Sequence, residues 1–421
     1  MLVRPPRWIS TKVRKFAPSE VTSINPAEAD PSAGGLARGD VDEIWRAVVR
    51  LYETGLHPAI ALCLRRRGEV VIDRAIGHLR GNAPTDPPDV LHVPIRYDSL
   101  FNIYSAAKCV TSMLVHLCDE RGLLHLDDPV AEYIPEFAQH NKGRVTIRHI
   151  LTHRAGIPAV PGKQIGLEML ADYERILALI CAAKPMSVAG RRLSYHALTG
   201  GYVLGEIIRR VAGKDLRAFF HDEVRSKLGM ATFDYGVARA DVDRVAENAF
   251  TGAPVVPPYS WMLERSIGVD IHEAARMSND PRFLTSLVPS ANLVGTAEEG
   301  SRFFEVLLRN GTYDGAKIFD RRTVRRAVAE QSYLEVDSFL GAPVRYGMGF
   351  MLGSNWFSLY GADTPHAFGH IGFTAVAVWA DPDRDISVSL MTSGKPFLTP
   401  GQWTWLKVAR TIARVCPQER P

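Results

Sequence analysis

Lysine is scarce in this chain. Of 50 basic residues among 421, only 11 are lysine, the other 39 being arginine. Cysteine is sparse as well. Cys63, Cys109, Cys118, Cys181 and Cys416 are widely scattered and form no Cys-x-x-Cys pair, which argues against a disulfide framework and for reduced, mostly buried thiols. No apolar run approaches the ~18 residues of a membrane-spanning helix. The N-terminal cations Arg4, Arg7, Lys12, Arg14 and Lys15 are not followed by the apolar stretch of a secretory signal. These absences lead to the expectation of a cytoplasmic protein. Charge of one sign is lacking too: 50 basic against 46 acidic residues leave a net +4, too little for a nucleic-acid groove. Gly-x-Ser-x-Gly, Walker, Gly-x-Gly-x-x-Gly and His-Glu-x-x-His motifs are all missing. Their absence removes the commonest hydrolase, nucleotide and zinc-protease readings.

What is present is a chain able to bury a large core, 46% hydrophobic and 9% aromatic. Its length suits two or three domains, or one large domain with insertions. Residues 1–36 lack periodicity and read as a mobile arm. Its five cations offer a peripheral contact to an anionic membrane, although a solvated tail is the plainer reading. From Asp40, read as a helix cap, apolar residues recur at helical spacing through Val41, Ile44, Trp45, Val48 and Tyr52 to a stop at Gly55. A hairpin follows, Ala59–Leu64 and Val70–Ile76 around a tight turn over Arg66, Arg67, Gly68 and Glu69. Patterns from 105 to 235 are mainly helical, and residues 236–289 are irregular and Pro-rich. Strand-like runs return at Gly349–Leu352, Thr374–Ala380 and Ile386–Met391. A last helix carries Thr399 as its cap. The order predicts an α+β fold, with an antiparallel sheet drawn from residues 37–104 and 290–421 and flanked by helices. A mainly helical domain, 105–289, is inserted between them.

One of the few lysines falls in the only Ser-x-x-Lys, Ser105 to Lys108. With 23 Ser and 11 Lys, chance alone supplies roughly 0.6 such matches. The context adds more. Residues three apart on a helix share a face, so the amine reaches the hydroxyl. A serine at a helix N-terminus also presents a free N–H and the positive dipole end, both suited to an oxyanion. The plain alternative is a capping serine with a solvated lysine. Chemistry asks for more than the pair: serine needs a base, and lysine is one only when burial or a nearby cation holds it neutral. A tyrosine beside the lysine would answer that need. His149 and His153 lie four apart, as zinc ligands do, but no third ligand is apparent, and a structural role is expected.

Further stretches align with this reading: Arg121 to Val130, Tyr133 to Phe137, Thr146 to His153 with Gly156-Ile157-Pro158, Ser194-Tyr195 with Gly201 to Ile208, Leu228-Gly229-Met230, and Gly369-His370-Ile371-Gly372. Taken in this order, over about residues 40–415, the chain resembles the serine β-lactamase-related hydrolases of the class C β-lactamase and DD-peptidase fold. It is most similar to their esterase branch, the family VIII carboxylesterases. The resemblance implies that Ser105 is the nucleophile, Lys108 its activating amine and Tyr195 the proton shuttle. It implies that His370-Ile371-Gly372 is the third motif on a strand edge, and that the N–H groups of Ser105 and Phe373 form the oxyanion hole. Lys108 and Tyr195 would titrate together, and the sequence does not say which is the base.

The chain departs from the peptidase pattern at two positions. Ala197 stands where an asparagine amide usually binds the substrate, and Ile371 where a threonine usually helps hold its carboxylate. An ester with an apolar acyl group needs neither contact. The expected activity is therefore cleavage of small carboxylic esters through an acyl-enzyme, with no metal or cofactor. The region 236–289, with Trp261 and Met262, is a candidate wall of the acyl pocket, ordinary domain packing being the alternative. The competing readings are a β-lactamase or D-aminopeptidase-like amidase, an acyltransferase with the same residues, and an idle scaffold. Oligomeric state has no signature in the sequence.

Overall fold

The computed structural model describes residues 11–160, 166–257, 260–261, 264 and 268–419. Its frame is one antiparallel sheet. The strands are β1 (Thr22–Ile24), β2 (Ala59–Arg66), β3 (Glu69–Arg80), β4 (Ser332–Asp337), β5 (Ala342–Tyr346), β6 (Met351–Leu352), β7 (Phe368–Ile371), β8 (Ala377–Asp381) and β9 (Ile386–Thr392). They lie in the order β1-β3-β2-β9-β8-β7-β6-β5-β4, so both ends of the chain meet at the β2–β9 seam. The short strand Val93–Pro94 adds to β3. The β2–β3 hairpin turns at Arg67 and Gly68, both with positive φ, the backbone that two-residue hairpin loops favour.

Every residue of β2 is buried, because both faces of the sheet are covered. Ile60, Leu62 and Leu64 point to one side. There they share a core with Val41, Ile44, Val48 and Leu51 of helix α1 (Arg38–Tyr52) and with Trp405, Val408 and Ile412 of the C-terminal helix Thr404–Val415. Ala59, Ala61 and Cys63 face the second core, with Phe303 and Phe304 of the helix Ala297–Leu308. Helix α2 (Ala107–Glu120) is buried on all sides from Ala107 to Cys118. It packs against α3 (Thr199–Ala212), itself buried from Thr199 to Ile208.

Three expectations are corrected here. The arm is not free from residue 11 onward: Thr22–Ile24 pair with Arg74–Ile76, and Val13, Val21 and Leu36 are buried anchors. Asn82 also clasps the backbone of residue 14 through both its N–H and its carbonyl. Lys12, Arg14 and Lys15 thus stand on ordered chain, while Arg4 and Arg7 lie outside the described residues. Asp40 is not the cap of α1 but its third residue, accepting the Ala37 N–H. The last helix begins at Thr404 because Thr399 is used elsewhere, its hydroxyl accepting the Ala253 N–H.

The region expected to be mainly helical, 105–289, also contributes a short strand, Asp234–Tyr235. Phe101–Asn102 and Asp234–Tyr235 flank Leu293–Gly295 in a small second sheet. The stretch 236–289 has regular pieces too, helices Ile271–Met277 and Pro281–Thr285. Among the described residues no helix is long and apolar enough to cross a membrane.

Candidate active site

Ser105 sits in a 3₁₀ turn, Tyr104–Ala106, that leads into α2. Tyr104, the residue before it, has φ of 49°, a left-handed conformation that an aromatic residue adopts only when its surroundings impose it. Several contacts do so. The Tyr104 N–H donates to Asn102 Oδ1 at 2.8 Å, and the Tyr104 hydroxyl donates to Ser278 Oγ at 2.9 Å. The Ile103 N–H donates to the Leu293 carbonyl at 2.9 Å, which fastens the turn to the small sheet.

The small sheet brings the Ser290 carbonyl to Lys108. Lys108 Nζ donates to Ser105 Oγ at 3.1 Å and to Ser290 O at 3.2 Å. Nζ also lies 4.9 Å from the centre of the Tyr195 ring. α3 approaches closely here because Gly201 has no side chain: a Cβ would come within 2.1 Å of Ser290 Oγ. Among the described residues no carboxylate is hydrogen-bonded to the lysine. Burial therefore pulls its pKa from 10.5 to about 7, against a small opposing effect of the Cys109 thiol.

Tyr195 behaves in the opposite sense. Burial pushes its phenol well above the ordinary range, with the Ser105 hydroxyl as a hydrogen-bonding neighbour pulling the other way. Its backbone is held by Asp337, whose Oδ1 accepts the N–H groups of Tyr195, Phe339 and Leu340. The Tyr346 hydroxyl donates to Asp337 Oδ2 at 3.3 Å. The ring packs on His153 at 4.7 Å, Phe339 at 5.8 Å and His370 at 5.9 Å. An amine that releases its proton near pH 7 thus adjoins a phenol that keeps its own, the separation that acid–base chemistry uses.

His370, on β7, is buried and neutral: burial, aided by the Lys108 charge, takes its pKa to about 3. Its Nδ1–H donates to the Ile371 carbonyl at 2.6 Å, leaving Nε2 bare. Gly372 passes the nucleophile turn so tightly that a Cβ would sit 2.4 Å from the Ile103 carbonyl. The Phe373 ring packs on Tyr104 at 5.5 Å, so the backbone after the third motif runs beside Ser105. Ala197 and Ile371 are half-buried hydrophobics packed against the core that contains Tyr195.

Ser105, Lys108, Tyr195, His370, Gly372 and Phe373 therefore converge. Trp261 does not serve as a packed wall, being 66% exposed, and Met262 lies outside the described residues. His149 and His153 have structural bonds: His149 Nδ1 accepts the Thr146 N–H and His153 Nδ1 accepts the His196 N–H. Sequence reasoning missed Asp337, His196 and the Ser290 carbonyl. The first two carry no motif, and a backbone carbonyl has no residue identity to read.

The fold and the cluster of a half-buried serine with a buried lysine and tyrosine define a serine hydrolase of the β-lactamase type. The beta-lactamase family model matches residues 46–410, and the chain belongs to that family. It is 27% identical over 310 residues to the esterase/beta-lactamase LipL of Mycobacterium tuberculosis, covering 71% of this chain and 70% of that protein. It is 28% identical over 307 residues to the esterase EstB of Burkholderia gladioli, covering 68% and 74%. A solved family VIII carboxylesterase superposes with a TM-score of 0.75 at 25% identity, over 89% of this chain and 98% of that one.

Proposed function

We propose that the protein is a carboxylesterase that works through an acyl-enzyme on Ser105. The observation that carries this reading is the Lys108 amine, 3.1 Å from Ser105 Oγ and buried with no carboxylate partner among the described residues. Near neutral pH a large share of this amine is uncharged, so it takes the Ser105 proton as the oxygen attacks the ester carbonyl. The oxyanion settles on the N–H groups of Ser105 and Phe373. Tyr195 keeps its proton and passes it to the departing alkoxide, then recovers one from Lys108. Water repeats the sequence in reverse to free the acid.

Ester preference follows from Ala197 and Ile371. Neither side chain offers a hydrogen bond to an acylamino or carboxylate group; such a bond contributes about 0.5–1.5 kcal/mol to the neutral acylamino group and about 1.5–3 kcal/mol to the charged carboxylate. A lactam or D-alanyl peptide loses that help, whereas a simple ester does not. The name of LipL pairs esterase with beta-lactamase, so lactam cleavage is the second activity to measure. p-Nitrophenyl esters of graded chain length, run beside nitrocefin, test the reading. The ester series is expected to turn over with kcat/KM ~100-fold above nitrocefin, the weight of two such bonds. Fast nitrocefin turnover without ester cleavage would reverse the assignment.

A further inference from the structure

A small cavity lies between α2 and α3. Lys108, Ser112, His153, His196, Gly201 and Leu204 line it, while Ser105 and Tyr195 do not. It offers about 20 Å³ to the centre of a water molecule, room for water and not for a substrate.

His196 is completely buried; its ring faces the Ile150 backbone as a hydrogen-bonding neighbour, but neither ring nitrogen has a well-formed hydrogen bond among the described residues. Burial lowers its pKa to about 4, with the backbone at Ile150 opposing and the Lys108 charge assisting. The ring is thus neutral, with one N–H and one bare nitrogen. A buried nitrogen left dry is costly.

Lys108 has the complementary need. To receive the Ser105 proton, its neutral amine must turn the lone pair to Ser105 and donate both N–H groups elsewhere. Ser290 O takes one of them, and the described residues give Nζ no second acceptor of that kind. We propose that the cavity holds one resident water, which accepts the second N–H of Lys108 and donates to the bare nitrogen of His196. His196 is then a positioning residue that aims the lysine through this water. The proposal rests on the reading of Ser105 and Lys108 as nucleophile and base. Protons balance within the site: the Ser105 proton moves to Nζ, the ammonium keeps its bonds to Ser290 and the water, and none leaves through His196.

The groups facing Lys108 are Cys109 on its own helix, the Tyr195 ring, His153, His196 and His370. Replacing His196 by leucine removes the water's partner together with the ring's packing on His153 at 5.4 Å and its contact with the Ile150 backbone, so the glutamine variant is the control for the water. The test combines a crystal structure of the wild-type protein with kinetics of His196→Leu and His196→Gln on p-nitrophenyl butyrate. The crystal is expected to show a water within hydrogen-bond reach of both Nζ and the His196 ring; an empty cavity overturns the proposal. His196→Leu is expected to lower kcat about tenfold at unchanged KM. It should also move the acid limb of kcat/KM to lower pH, because a drier lysine holds its proton less. His196→Gln, whose amide oxygen and N–H bond water, is expected to stay within about threefold of wild type. A leucine variant with wild-type kcat and pH profile refutes the role, as does a glutamine variant as impaired as leucine. Should the leucine variant fail to fold, the glutamine variant and the wild-type crystal still decide. Fluorophosphonate labelling of Ser105 separates the two ideas. An unlabelled wild-type serine sinks the nucleophile reading, while the crystallographic water stands or falls by itself.

Discussion

Replacing Lys108 by methionine is expected to inactivate the protein and, near neutral pH, to stabilise it. The amine loses its charge at about pH 7 in the folded protein but at 10.5 in a free chain. Each unit of that gap corresponds to about 1.4 kcal/mol, so folding at pH 7 carries a cost of about 4 kcal/mol for this side chain, falling to about 2 at pH 9. Methionine fills a similar volume without a charge. It forfeits the bonds to Ser105 Oγ and Ser290 O, a loss of about 1–2 kcal/mol in all. The net gain at pH 7 is about 2–3 kcal/mol. Between the two pKa values the unfolded chain binds more protons, so wild-type stability climbs with pH through this window. The variant's advantage is therefore greatest at or below pH 7, and it shrinks by about 1.4 kcal/mol per pH unit toward 10.5. Lys395, also pulled to about 7 by burial, is present in both proteins and cancels. Denaturant melts of both proteins at three pH values from about 6.5 to about 9.5 measure the slope. A variant that is less stable by the same amount at every pH would refute the claim that the fold holds this amine neutral.

The remaining expectations concern chemistry and its support. Ser105→Ala should abolish turnover and fluorophosphonate labelling at an unchanged melting temperature; retained turnover would remove the nucleophile. Tyr195→Phe should lower kcat at least ~100-fold, the scale of a lost general acid, and a wild-type rate would take the phenol out of the mechanism. For an uncharged ester, kcat/KM should rise with pH through about 7 as Lys108 becomes neutral, read from an initial-rate profile. Asp337→Ala strands the N–H groups of Tyr195, Phe339 and Leu340. It should cost about 2–5 kcal/mol in a denaturant melt and reduce kcat as Tyr195 loosens.

Several elements were legible because their signals are local. The β2–β3 hairpin announced itself through two β-prone runs around Arg67 and Gly68. α2 and α3 fell within the mainly helical pattern read from 105 to 235. Boundaries were less readable, since caps depend on competing partners: Thr399 bonds Ala253 instead of starting a helix, and Asp40 acts from the third position of α1. Elements held only by long-range pairing left no trace. β1 looked like part of an aperiodic arm until its pairing with β3 was seen. The β4–β5 hairpin, which carries Asp337 to Tyr195, showed no signal that was noticed.

The sequence by itself determined that a serine and a lysine would share one face of a helix, three residues apart, and that strands from both chain ends would pair. It also shows apolar side chains at Ala197 and Ile371, where the resemblance to the peptidases implies polar substrate contacts. These follow from backbone periodicity and side-chain chemistry, which travel with the residues. Only the tertiary structure decided that the lysine would be buried. Burial lowers its pKa to about 7, and the segments that bury it, around Ser290, Tyr195 and the close pass of α3 at Gly201, all lie far away along the chain. A pKa is set by the solvent that packing excludes, and no stretch of sequence states which distant segments will exclude it.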